Sequence, residues 1–209
     1  MNIDLRILEL AASKICHDLI SPIGAVNNGL ELMEDEQDSA LQAEALALAQ
    51  RSARRASILL QVFRSLFGNA GNQAGFGPKE VQHLALEYLQ NGKVTLETDF
   101  GSDGLSGEGL GKLLLAAIIL AAEVLPRGGT VNVQVPVNPG TNSFKVVATG
   151  GQIAFSEESL KALQQVLPAT DLTAHSVLPY FTGLLAKRAG VACQIDQKTA
   201  GQISLLFST

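Results

Sequence analysis

The 209-residue chain has no tryptophan, only two tyrosines and two cysteines, and 5% aromatic residues in all. Cys16 and Cys193 lie far apart and match no metal-ligand spacing, and two thiols build no disulfide framework. We read them as reduced thiols of a cytosolic protein. Excess positive charge is missing too, since 15 Lys and Arg face 20 Asp and Glu for a net charge of -5. That balance argues against nucleic acid as the main partner, because phosphate backbones select basic surfaces. It leaves protein partners open.

A membrane-spanning run is also lacking. The most apolar stretch is 110–125 (LGKLLLAAIILAAEVL), and its uncharged part has about half the length that a bilayer span needs. A buried helix explains it better. Asp4, Arg6 and Glu9 interrupt any apolar region near the start, so no signal peptide is expected there. The expectation is a soluble, cytoplasmic protein without membrane or nucleic-acid partners. What is present is ample apolar residue, 46% of the chain, enough for a sizeable core.

Residues 1–67 hold a single proline, Pro22, and are rich in helix formers. Leu5, Ala12, Leu19, Val26 and Met33 recur every seven residues. Leu8, Ile15 and Pro22 take a second heptad position, and Ile23 and Leu30 widen the stripe. After a polar break at 34–39, Leu41, Ala45, Leu48, Ser52, Ala56, Leu59, Phe63 and Leu66 continue a helical pattern. Two long helices joined by a short turn make an antiparallel hairpin. A lone hairpin leaves one apolar face open, so we expect a homodimer that pairs two hairpins into a four-helix bundle.

The glycine-rich stretch 68–77 reads as a linker. Beyond it the pattern mixes helices (78–91, 109–125, 156–166, 178–189) with strands (93–100, 130–137, 143–149, 192–196, 202–207). The fold class is therefore α+β, with a helical hairpin over 1–70 and an α/β sandwich over 76–209. No internal repeat or low-complexity tract is evident.

Of the three histidines, only His17 sits in a long periodic helix. With Leu19 in the buried first position of the heptad, His17 falls at the outermost position and points to solvent. Its neighbours on that face are Ile20, Ser21 and Gly24, one exposed apolar residue and two small ones. A partner's backbone can approach such a surface closely. A surface histidine without a role is the plain alternative. Three features weigh against it. Asp18 can hydrogen-bond the imidazole and hold a nucleophilic tautomer. Pro22 lies inside the helix at a cost of about 3 kcal/mol, which a required bend would offset. Lys14, one turn earlier, can attract an anionic group.

The run His17-Asp18-Leu19-Ile20-Ser21-Pro22-Ile23 resembles the H-box of histidine kinases. There a histidine followed by an acidic residue, with a proline at the same spacing, lies on the first helix of a dimerisation hairpin and is phosphorylated on Nε2. Residues 113–135 resemble the nucleotide-site helix of those kinases, aligned on Gly128-Gly129. The positions of the Mg²⁺-binding asparagine hold Leu120 or Ala116, neither of which offers an oxygen ligand. Thr149 stands where the adenine-reading aspartate belongs, and the glycine-rich lid is replaced by 178–185 (LPYFTGLL).

This combination resembles the alphaproteobacterial ChpT-type histidine phosphotransferases over nearly the whole chain, including the arginine-rich segment Arg51, Arg54, Arg55 and the segment 178–186. The likeness to a sporulation phosphotransferase of Gram-positive bacteria is weaker. The resemblance implies a phosphorelay protein whose His17 accepts a phosphoryl group from a receiver-domain phosphoaspartate and passes it to a response regulator. Asp18 would orient the imidazole, and Lys14, Ile20, Ser21 and Gly24 would meet the receiver. The expected partners are receivers of a hybrid histidine kinase and of response regulators. No residue of this chain is assigned to a cofactor or metal, since the receiver brings Mg²⁺. An ATP-dependent kinase core and a non-catalytic dimeric adaptor are the competing readings.

Arg51, Arg54 and Arg55 either pair with receiver carboxylates or are simply solvated. His175 beside Ser176 fits a loop or helix cap. Gly104, Gly107, Gly109 and Gly111 lack the Gly-Lys-Ser/Thr ending of a phosphate loop and read as a flexible turn.

Overall fold

A computed structural model describes residues 5–35, 38–73, 75–90, 92–100, 105, 107–136 and 143–209. Glu36 and Gln37 of the expected turn, Ala74 of the linker, Asn91, Gly104 and Val137 fall outside them. Helix α1 spans Leu5–Asp35 and α2 spans Ser39–Leu66, and the two lie side by side as an antiparallel hairpin. The Asp38 carboxylate caps α2 by accepting from the Ala40 backbone N–H at 2.7 Å. Gly29 allows the helices to touch: a Cβ there would lie 2.9 Å from the Ala45 carbonyl oxygen and 3.0 Å from the Ala49 Cβ.

The remaining elements are α3 (Pro78–Leu89), β1 (Val94–Phe100), α4 (Leu110–Glu123), β2 (Gly129–Val135), β3 (Phe144–Gly150), α5 (Glu157–Leu163), α6 (Val177–Arg188), β4 (Ala192–Asp196) and β5 (Gln202–Ser208). The strands form one sheet in the order β1-β2-β3-β5-β4, in which β1 and β2 are parallel and all other pairs antiparallel. A parallel pair needs a crossover, and α4 supplies it. Gly128 at the stop of α4 has φ +96°, and a Cβ there would meet the Lys93 carbonyl oxygen at 2.6 Å. Only glycine fits that corner.

Every residue of α4 from Leu110 to Ala121 is buried, as expected of a helix that is apolar on all sides. Its one cation, Lys112, donates from Nζ to the Gly68 carbonyl at 2.7 Å and lies over the Phe181 ring. Burial, with the charge of Arg188, holds its pKa below the ordinary lysine value. Lys112 thus ties the end of the hairpin to the centre of the sandwich.

The expected hairpin stripe divides in two. Leu59, Phe63 and Leu66 of α2 are buried in the main core beside α4 and the sheet, and Ile15 and Leu19 of α1 pack against it. Leu5, Leu8, Ile23 and Leu30 of α1 and Leu41 of α2 stay exposed within the single chain. A second small core, formed by Leu10 with Ala162, Leu172 and Val177, fastens the start of α1 to α5, the start of α6 and the segment between them. Arg6 adds a hydrogen bond from Nη2 to the Leu172 carbonyl at 3.4 Å. No helix among the described residues is long and apolar enough to cross a membrane.

Candidate functional site

His17 lies in the middle of α1 with 87% of its side chain exposed. The helical register puts it there, because Leu19 and Ile15 on either side turn toward the core. Its Nδ1 is 3.0 Å from Asp18 Oδ1. A carboxylate can only accept, so Nδ1 is the donor of this contact, and in the neutral ring that leaves the lone pair on Nε2.

Pro22 removes one hydrogen bond from the helix nearby. It has no N–H to donate to the carbonyl of Asp18, the residue four positions back, so the helical ladder is interrupted beneath the His17-Asp18 turn. Ile20 and Ser21 are exposed near His17, and Ile20 keeps 70% of its surface. Nothing lies within 4 Å of a Cβ built on Gly24. Three of the four residues expected to meet a partner thus share an open face with the histidine.

Lys14, expected to attract an anionic group, is already paired with carboxylates of this chain. Its Nζ lies 3.3 Å from Asp18 Oδ2 and 2.9 Å from Glu123 Oε1, and only 15% of its side chain is exposed. Burial pulls its pKa down, but the carboxylates of Glu123 and Asp18 outweigh that and hold it above the ordinary lysine value. Glu123 closes α4 and comes from the sandwich, far along the chain. Sequence reasoning missed it, and no motif marks it.

A groove of about 810 Å³ opens beside His17, lined by Lys14, Asp18, Arg51, Arg55, Tyr88 and Glu123. Arg55 is half-buried and already engaged within the chain. It donates from Nη1 to the Tyr88 carbonyl and lies 4.7 Å from the Tyr88 ring centroid. Burial, followed by the nearby charge of Glu123, raises the Tyr88 pKa and keeps the phenol neutral. Arg54 lies 3.9 Å from Glu87 on an exposed face, and Arg51 is exposed at the groove.

Where the resemblance would put a nucleotide, Leu120 is 2% exposed and Ala116 is fully buried. Leu120, Phe155, Ser156 and His175 line a cleft of about 500 Å³ there. His175 occupies the turn before α6, and its backbone N–H donates to Thr173 Oγ1 at 3.2 Å. Gly109 caps α4 in the left-handed region, and Gly111 packs so tightly on Phe76 that no side chain fits.

Comparison with known proteins agrees with this layout. Residues 78–201 match the family described as the histidine phosphotransferase C-terminal domain. The chain is 36% identical over 200 residues to the protein phosphotransferase ChpT of Brucella abortus (strain 2308), covering 93% of each. A solved bacterial phosphotransferase superposes with a TM-score of 0.84 at 34% identity, over 99% of this chain and 98% of its own.

Proposed function

The chain belongs to the histidine phosphotransferase family, and from that premise we propose that His17 is its phosphoryl carrier. One observation carries the reading: an imidazole exposed on a rigid helix, with Nδ1 held by Asp18 and Nε2 free. The donor is the phosphoaspartate of a receiver domain docked on the face of Ile20, Ser21 and Gly24. Nε2 attacks phosphorus in line, the bond from phosphorus to the aspartate oxygen breaks, and the electron pair leaves with the receiver carboxylate. The Nδ1 proton stays in place. The phosphorylated ring therefore gains cationic character, which the Asp18 carboxylate stabilises at contact distance. The reverse step delivers the group to the aspartate of a response regulator. Mg²⁺ belongs to the receiver, and this chain contributes the nucleophile and the docking surface.

The hairpin over 1–70 is the transfer unit and the sandwich over 76–209 its support, with no ATP-dependent kinase activity, since Leu120 and Ala116 have no oxygen to offer Mg²⁺. Two copies pair through the open apolar face of the hairpin, and the protein works in the cytoplasm.

The test is transfer of label from a phospho-receiver to the wild type and to His17→Gln, without ATP. We expect acid-labile, base-stable label on the wild type alone. Equal labelling of both proteins would remove His17 from the role. Binding of receivers with no label on either would leave an adaptor.

A further inference from the structure

The His17-Asp18 pair is joined to the sandwich by a chain of charges. Asp18 uses Oδ1 on His17 Nδ1 at 3.0 Å and Oδ2 on Lys14 Nζ at 3.3 Å. Lys14 in turn holds Glu123 at 2.9 Å. Exposure falls inward from 87% at His17 to 27% at Asp18 and 15% at Lys14, and Glu123 stands at 34% on the far side. A lysine that is mostly buried and held by two carboxylates is a strut, because its four-carbon stem would otherwise sample many rotamers.

We infer that Glu123 is a positioning residue for phosphoryl transfer, fixing Lys14 so that Asp18 keeps its second oxygen on His17 Nδ1. The inference rests on His17 being the carrier. Two consequences follow from the geometry. Without Glu123, Lys14 is free to draw the Asp18 carboxylate away from the ring, and the imidazole proton then divides between Nδ1 and Nε2. Rings protonated on Nε2 have no lone pair there to attack phosphorus. The same loss removes the fixed negative charge beside the ring once it becomes cationic. Receiver docking is unaffected, because the face of Ile20, Ser21 and Gly24 lies outside this chain of contacts.

The experiment compares wild type, Glu123→Gln, Glu123→Asp and His17→Gln on three readouts: the rate of transfer from a labelled phospho-receiver, the receiver Kd, and the ¹⁵N shifts of the His17 ring. For Glu123→Gln we expect transfer to fall by about tenfold, the order of loss when a group orienting a reactive ligand is removed. Its receiver Kd stays at the wild-type value, and the His17 shifts move from the Nδ1–H tautomer toward a mixture. Glu123→Asp, which keeps the charge on a shorter stem, recovers part of the rate and of the tautomer signal. Wild-type transfer together with wild-type ring shifts in Glu123→Gln overturns the inference while leaving His17 as carrier. A slower rate with unchanged ring shifts also overturns it, since the effect would not pass through the imidazole. Transfer persisting in His17→Gln would instead defeat the underlying reading.

Discussion

As the proposed phosphoryl carrier, His17 takes its orientation from its immediate neighbour, and the neighbour is itself held from elsewhere. An exposed imidazole on a helix is free to rotate and to carry its proton on either nitrogen. Asp18 removes that freedom with one oxygen and spends the other on Lys14. Thiol chemistry shows a similar dependence on surroundings. Burial pushes the Cys193 thiol up to about 12, so it remains protonated at pH 8. Thiolate is the reactive form, and Cys193 should therefore resist iodoacetamide at pH 8 in the folded protein and react only after denaturation. Mass mapping of the alkylated peptides checks this, and native labelling at Cys193 would contradict the assignment.

The hairpin depends on close approach at one crossing. Gly29 lies against the Ala45 carbonyl and Ala49, with contacts tighter than side chains tolerate. Both opposing groups belong to helix α2, and neither is the end of a flexible chain. Gly29→Ala gains helix propensity but must push α1 and α2 apart. The net expectation is a loss of about 1–3 kcal/mol, as for other overpacked contacts, measurable as a lower urea midpoint. Pro22 makes the opposite contribution in the same helix: it interrupts the ladder at the Asp18 carbonyl, yet α1 continues through it to Asp35. Packing of Ile15 and Leu19 on the main core, and of Leu10 on its own small core, offsets that interruption.

Across the whole molecule, the sandwich and the hairpin share a core on which Ile15 and Leu19 pack, and the Leu10 cluster, the Arg6 hydrogen bond and the Lys14–Glu123 pair also hold α1 to the sandwich. Several apolar residues of the hairpin remain uncovered. Leu30 and Leu41 keep 48% and 49% of their surface exposed. Our proposal that two hairpins pair there predicts a dimer mass in light scattering. Leu30→Asp combined with Leu41→Asp should yield monomer, since two carboxylates per copy would have to be buried without partners. A monomeric wild type would end that proposal.

Much of the fold was legible in the sequence because its signals are periodic and local. The heptad of α1 gave the exposure of His17, since one fixed register decides which residues face the core. The uniform apolarity of 113–122 gave a helix buried on every side, and the Gly128-Gly129 pair gave its stop. The alternating strands fell close to their observed bounds for the same reason. Local pattern could not say which part of the hairpin stripe would be covered within one chain, because that depends on where the sandwich docks. Nor could it pair Arg55 with Tyr88, or Lys14 with Glu123. Lys14 and Glu123 meet only when α4 is set against α1, and an ion pair between residues distant in sequence leaves no trace in spacing. The exposed histidine and its helix follow from short-range order in the chain; the charge that meets Lys14 follows from the tertiary fold, which brings the end of α4 beside α1, where burial makes an unpaired ammonium costly enough to select a partner.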